Sequence, residues 1–211
     1  MTEYLVPTQN GQSEFTEKRS RFLGQIRKVE TEEEARAFIT EMKARYYDAR
    51  HNCWCYLLHE GGVLRYSDDG EPQGTAGQPM LEVFRREGVE NLCCVVTRYF
   101  GGVLLGAGGL VRAYTRSAKE TLDAVGVSVV RRWIEMAVDC PYPLLERMKL
   151  EVGAVGGALG ELEYGASVRL RAFLPEEETD RFSKQVRELT SGQIAPEIVG
   201  ESYRAVPRAK I

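Results

Sequence analysis

A chain of 211 residues with 43% hydrophobic and 28% charged residues fits one large soluble domain or two small ones. A net charge of −3 and a pI near 5.6 exclude wholesale coating of nucleic acid, so binding of that kind needs a local basic patch. No apolar run approaches the ~20 residues that span a bilayer, so no membrane partner is expected.

The segment Met1–Asn10 has neither a basic nor an apolar leader pattern, so no secretory signal is expected there. Five cysteines, odd in number and mostly inside apolar runs, suit a reduced cytoplasmic protein better than a disulfide framework. Phe15 to Val29 reads as extended, a hairpin or a bent pair of short strands turning near Gly24. Thr31-Glu-Glu-Glu34 is a capping-box pattern, and Ala35, Phe38, Ile39, Met42 and Tyr46 follow at helical spacing. Asn52 to Ser67 reads as a hairpin across Gly61-Gly62.

His51, Cys53 and Cys55 share one strand face, but positions two apart sit about 7 Å from each other, awkward for one tetrahedral zinc. No CxxC pair completes a site, so no metal is expected and buried apolar cysteine is the favoured reading. His51 by itself could be a general base; a hydrogen-bonded structural histidine is the blander reading and the favoured one.

Ser67 to Pro79 is a Gly/Pro-rich block, and a short helix follows from Pro79 to Arg86. Its Asp68, Asp69, Glu71 and Thr75 could hold Mg²⁺, but turn chemistry explains them better, as a loop folded back into a cleft. A strand from Asn91 to Arg98 leads into a second glycine block, with Gly101, Gly102, Gly106, Gly108 and Gly109 in nine positions. The next helix buries Leu110, Tyr114, Ala118, Leu122 and Val125, leaving Arg112, Arg116 and Lys119 as a stripe that reads first as a solvated face.

A glycine loop opening a helix directs unpaired amides and the positive end of the dipole at a guest anion. Gly-Lys-Ser/Thr is missing, as is a third glycine at dinucleotide-fold spacing, so neither nucleotide fingerprint applies. Arg98 and Arg112 flank the loop and suit phosphate. Tyr99 and Phe100 could stack on bases, although Phe100 reads as core. No serine elbow accompanies the two histidines, so hydrolase chemistry has few components and no catalytic residue is assigned.

Beyond Gly126 the order is strand Arg131–Asp139, helix Pro141–Val152, hairpin Ala158–Leu174, helix Glu176–Leu189 and strand Ile194–Val206. That is βαββαβ, a ferredoxin-like arrangement. The fold class is α+β in two domains, 1–129 and 130–211.

The stretches Asp69-Gly-Glu-Pro-Gln-Gly-Thr-Ala-Gly-Gln-Pro79, Arg98-Tyr-Phe-Gly-Gly and Leu105-Gly-Ala-Gly-Gly-Leu-Val-Arg-Ala-Tyr114 resemble the IMPACT family of YigZ-like proteins. The likeness also takes in Asp48-Ala-Arg-His51 and is strongest between about Phe15 and Val125. It implies an N-terminal fold like the second domain of ribosomal protein S5, shared with elongation factor G domain IV and some small-molecule kinases. It implies a C-terminal domain like elongation factor G domain V. It also implies nucleic-acid binding through the N-terminal domain, and the bacterial form without the extra N-terminal domain by which eukaryotic relatives contact a translation-control partner.

The expectation is therefore a non-catalytic, cytoplasmic protein that binds RNA or the ribosome in regulation of translation, with no cofactor. Its phosphate or nucleic-acid site would be Arg98, Tyr99, Gly101, Gly102, Gly106, Gly108, Gly109, Arg112 and Arg116, with His51, Asp69, Glu71 and Thr75 contributing to the cleft. The alternatives are an enzyme acting on a phosphorylated small molecule or nucleotide, and a regulator that docks protein through the C-terminal sheet.

Overall fold

The structure is a computed structural model describing residues 3–207, and its chain divides into two compact units, Tyr4–Val129 with residues 205–207, and Val130–Arg204 with Glu3. The first contains β1 (Tyr4–Pro7), β2 (Gly11–Glu17), β3 (Ser20–Lys28), α1 (Glu32–Arg45), β4 (His51–Leu58), β5 (Val63–Ser67), α2 (Gly77–Glu87), β6 (Leu92–Tyr99) and α3 (Ala107–Val125). Its sheet runs β2-β3-β6-β4-β5, with every registered pair antiparallel. Strand alternation divides the core between the two faces. Cys94, Val96, Cys53 and Cys55 pack against α2 and α3, whereas Cys93, Val95, Tyr56 and Leu58 pack against α1. All five cysteines are free and buried.

The helix expected after Thr31 forms as α1, with Thr31 Oγ1 accepting the Glu34 amide at 3.2 Å. The expected turn near Gly24 is not there. The chain reverses at Lys18 and Arg19, both with positive φ (45° and 68°), between the paired Glu17 and Ser20. That is a two-residue hairpin loop of the kind whose twist matches the strands. Gly24 instead lies inside β3, where a Cβ would stand 2.1 Å from Thr121 Oγ1 on α3. Its glycine serves a close helix–sheet approach.

The second unit contains β7 (Val127–Cys140), α4 (Leu145–Ala154), β8 (Ala158–Tyr164), β9 (Val168–Pro175), α5 (Thr179–Leu189) and β10 (Glu197–Pro207), with β7 beginning just ahead of it and β10 ending just beyond it. Strand order β10-β7-β9-β8 is that of the ferredoxin-like βαββαβ fold. Val168, Leu170, Ala172 and Leu174 alternate into a core with Met148, Phe182 and Val186. Short 3₁₀ turns at Tyr142–Leu144 and Glu176–Glu178 precede the helices, so both begin a turn later than the apolar pattern suggests. On the opposite sheet face Arg169 pairs with Asp139 and Glu197, and Arg171 with Glu135 and Glu163. That face neutralises its own charge.

Candidate functional site

His51 and Arg98 are register partners near the ends of β4 and β6, on the sheet face that α3 covers. The Ser67–Pro79 block folds back over them. Asp68 fastens it, its carboxylate accepting the amides of Gly74 (2.8 Å), Ala76 (3.0 Å) and Gly77 (2.8 Å) at the start of α2. Asp69 accepts from the Asn52 amide at 2.7 Å and from Lys43 Nζ at 2.5 Å. Thr75 Oγ1 donates to the Pro72 carbonyl at 2.7 Å. Asp69 and Thr75 therefore hold the loop, and Glu71 is the member of the block that reaches inward. The result is a cleft of about 380 Å³ to which His51, Glu71, Arg98, Phe100 and Gly106 all contribute.

Arg98 is not the surface cation the sequence suggested. It is 6% exposed; Nη1 donates to Glu71 Oε1 at 2.7 Å and Nη2 to Ser20 Oγ at 3.4 Å. Tyr114 donates its hydroxyl to the same Oε1 at 2.8 Å and accepts from Cys53 Sγ at 3.3 Å. Burial pushes both the Tyr114 phenol and the Cys53 thiol well above their ordinary values. A buried guanidinium is retained here because Glu71 cancels its charge, and that pairing removes it from the field outside. Its Nε is buried without a partner.

The glycine loop divides by role. Gly101 is a packing residue, since a Cβ there would lie 2.0 Å from the Arg19 backbone, and its amide goes to Ser20 Oγ at 3.3 Å. Gly102 and Gly106 take positive φ (85° and 70°), and Gly106 is the N-cap of α3 without any side-chain cap. The first bond into the helix is Leu110 N–H to the Gly106 carbonyl at 2.9 Å. The amides of Ala107, Gly108 and Gly109 ahead of it have no acceptor among the described residues, and Gly106 to Gly108 are exposed. The N-terminal end of α3 is therefore open to solvent.

The unpaired cations of this region are residues other than Arg98. Lys18 and Arg19 at the hairpin tip, Arg50 before β4 and Arg112 on the second turn of α3 are exposed, and none has an ion-pair partner among the described residues. Lys18, Gly109, Arg112 and Arg116 line a second depression of about 210 Å³ on the other side of Leu105. Arg116 is committed to Glu120 (2.7 Å) and lies over the Phe15 ring, while Lys119 bridges Glu87 and Asp123. Of the expected basic stripe, Arg112 alone keeps a free charge.

Tyr99 projects to the other sheet face, where its hydroxyl donates to Asp48 at 2.7 Å; that bond moves its pKa up to about 12. Phe100, expected in the core, is 46% exposed and lines the cleft beside the 83% exposed Leu104. His51 Nδ1 lies 2.9 Å from the Asp69 carbonyl, an oxygen that only accepts, so Nδ1 carries the proton and Nε2 is left open. Sequence reasoning missed Lys18, Arg19, Arg50 and Leu104. A Lys-Arg pair set between the alternating arms of a hairpin was a usable sign for the first two. Nothing local marked the others. Among the described residues no three of His, Cys, Asp and Glu gather in a metal-holding group.

This arrangement defines a two-domain α+β protein with an uncapped helix start beside a small cleft. Residues 18–122 match the Impact N-terminal domain, and residues 138–193 match a domain of unknown function, DUF1949. The chain is 39% identical to IMPACT family member YvyE of Bacillus subtilis, over 90% of this chain and 88% of that protein. It is 33% identical to IMPACT family member YigZ of Escherichia coli, over 92% and 97%. The crystal structure of a hypothetical protein is similar across 95% of this chain and 98% of its own, at 32% identity and a TM-score of 0.59. The chain belongs to the IMPACT family. Mouse protein IMPACT is 28% identical over 50% of this chain but only 34% of its own length, so that likeness concerns the N-terminal unit. No helix among the described residues is long and apolar enough to cross a membrane.

Proposed function

We propose that this protein is a non-catalytic, cytoplasmic RNA-binding factor associated with regulation of translation, holding phosphates of RNA or the ribosome at the start of α3. One observation carries the reading. Three unpaired amides at the positive end of a 19-residue helix lie between clefts lined by Lys18, Arg50 and Arg112, with Arg19 against Gly101 in the same loop, four exposed cations without ion-pair partners among the described residues. Backbone amides and arginines hold phosphate oxygens without reading sequence. Family membership supports the association with translation, through the resemblance of both domains to parts of elongation factor G. Charge at this one place reconciles an acidic chain with a polyanionic partner.

Co-sedimentation with ribosomes and with tRNA across a salt series tests it. Retention falls steeply with salt, and the Lys18→Ala, Arg19→Ala, Arg112→Ala triple variant lowers the log–log slope by about 2. No retention at low salt removes the proposal. Arg98 is unsuited to this test, because its replacement strips Glu71 of its buried partner.

The cleft favours one second reading, an enzyme acting on a phosphorylated small molecule or nucleotide. His51 Nε2 is free beside the anion seat and could serve as a base. A nucleotide panel in thermal shift, lost on His51→Ala, would support it.

A further inference from the structure

We propose that the cleft receives one unpaired nucleotide from a single strand, its base against Phe100 and its phosphate on the α3 amides. This rests on the RNA reading above and narrows it from phosphate contact to a base-accepting pocket. At about 380 Å³ the cleft lies at the small end of the roughly 300–1,000 Å³ spanned by small-molecule sites, the size of one nucleoside.

Its walls and its floor differ in chemistry. Pro72, Phe100, Leu104 and Leu110 supply apolar surface, and Phe100 and Leu104 leave much of theirs to water. An exposed aromatic in the same cleft as Arg50, an arginine without an ion pair among the described residues, is the kind of platform on which unpaired bases stack. The floor carries unfilled polar positions. His51 Nε2 is open because Nδ1 is engaged. Glu71 takes both its side-chain bonds on Oε1, leaving Oε2 without one. Two acceptors beneath an apolar slot match the N–H groups on the edge of a base.

Gly106 and Ala107 also line the cleft, so the unpaired amides and Arg50 meet the backbone where the base enters. A duplex keeps its bases stacked and paired and cannot fill the slot without opening.

Fluorescence anisotropy at low salt tests the proposal with three probes: a short labelled single-stranded RNA, the same strand annealed to its complement, and an abasic strand of equal length. The wild type binds the single strand about tenfold more tightly than the other two. Phe100→Ala abolishes that preference and Phe100→Tyr retains it. Leu104→Ser, at a position 83% exposed and therefore harmless to the fold, weakens the preference in parallel. Equal binding of all three probes overturns the base pocket and leaves the phosphate reading standing. A preference that survives both Phe100→Ala and Leu104→Ser also overturns it. No binding to any probe overturns both proposals.

Discussion

Arg98 Nη1 and Glu71 Oε1 meet at 2.7 Å in an ion pair whose side chains are 7% and 3% exposed, joining the tip of β6 to the loop that roofs the cleft. The pair is a clasp between two segments 27 residues apart in the chain. Removing one partner strands a buried charge. Arg98→Ala and Glu71→Ala are each expected to cost about 3–5 kcal/mol in urea unfolding, and a well-packed apolar double replacement much less than the sum.

Asp68 gathers three amides at the start of α2, two of them on buried residues. Asp68→Ala leaves those donors unsatisfied and is expected to lose about 3 kcal/mol. Asp68→Asn, which keeps one acceptor oxygen, should lose less. Chemical denaturation of the two variants checks the order.

Gly101→Ala sets a Cβ 2.0 Å from the Arg19 backbone, whereas Gly24→Ala meets the Thr121 side chain at 2.1 Å. Overpacking of this kind costs about 1–3 kcal/mol where a neighbour can yield. Thr121 can shift more readily than backbone, so Gly101→Ala is expected to destabilise more. It should also weaken RNA retention, because it displaces the hairpin tip that carries Lys18 and Arg19.

Stability should fall at alkaline pH. Tyr114 and Cys53 hold their protons in the folded protein well above the ordinary values of 10.0 and 9.0 at which the unfolded chain releases them. The unfolded state then binds fewer protons than the native one, so unfolding becomes easier as pH rises through that range. The urea midpoint is expected to drop from about pH 8 to about pH 10.5, and Tyr114→Phe to shallow that drop.

Much of the fold was legible in the residues. The Thr31 cap, the burial pattern of α3 and the period-two arm Val168 to Leu174 each state a local preference that packing then obeys. The turn at Lys18-Arg19 was missed because Gly24 is the stronger local turn signal. Its actual purpose, proximity to Thr121, involves a residue 97 positions away.

The glycine loop and the free helix start could be read from the chain alone, because an N-terminus without a capping side chain is a local property. Which cations serve it could not. Arg98 stands 7 residues from Leu105 at the loop centre and Lys18 stands 87 away, yet Arg98 is neutralised by Glu71, while Lys18 and Arg19 at the hairpin tip have no ion-pair partner among the described residues. Electrostatic availability depends on burial and on pairing through space, and neither is encoded in the spacing of charged residues along the chain.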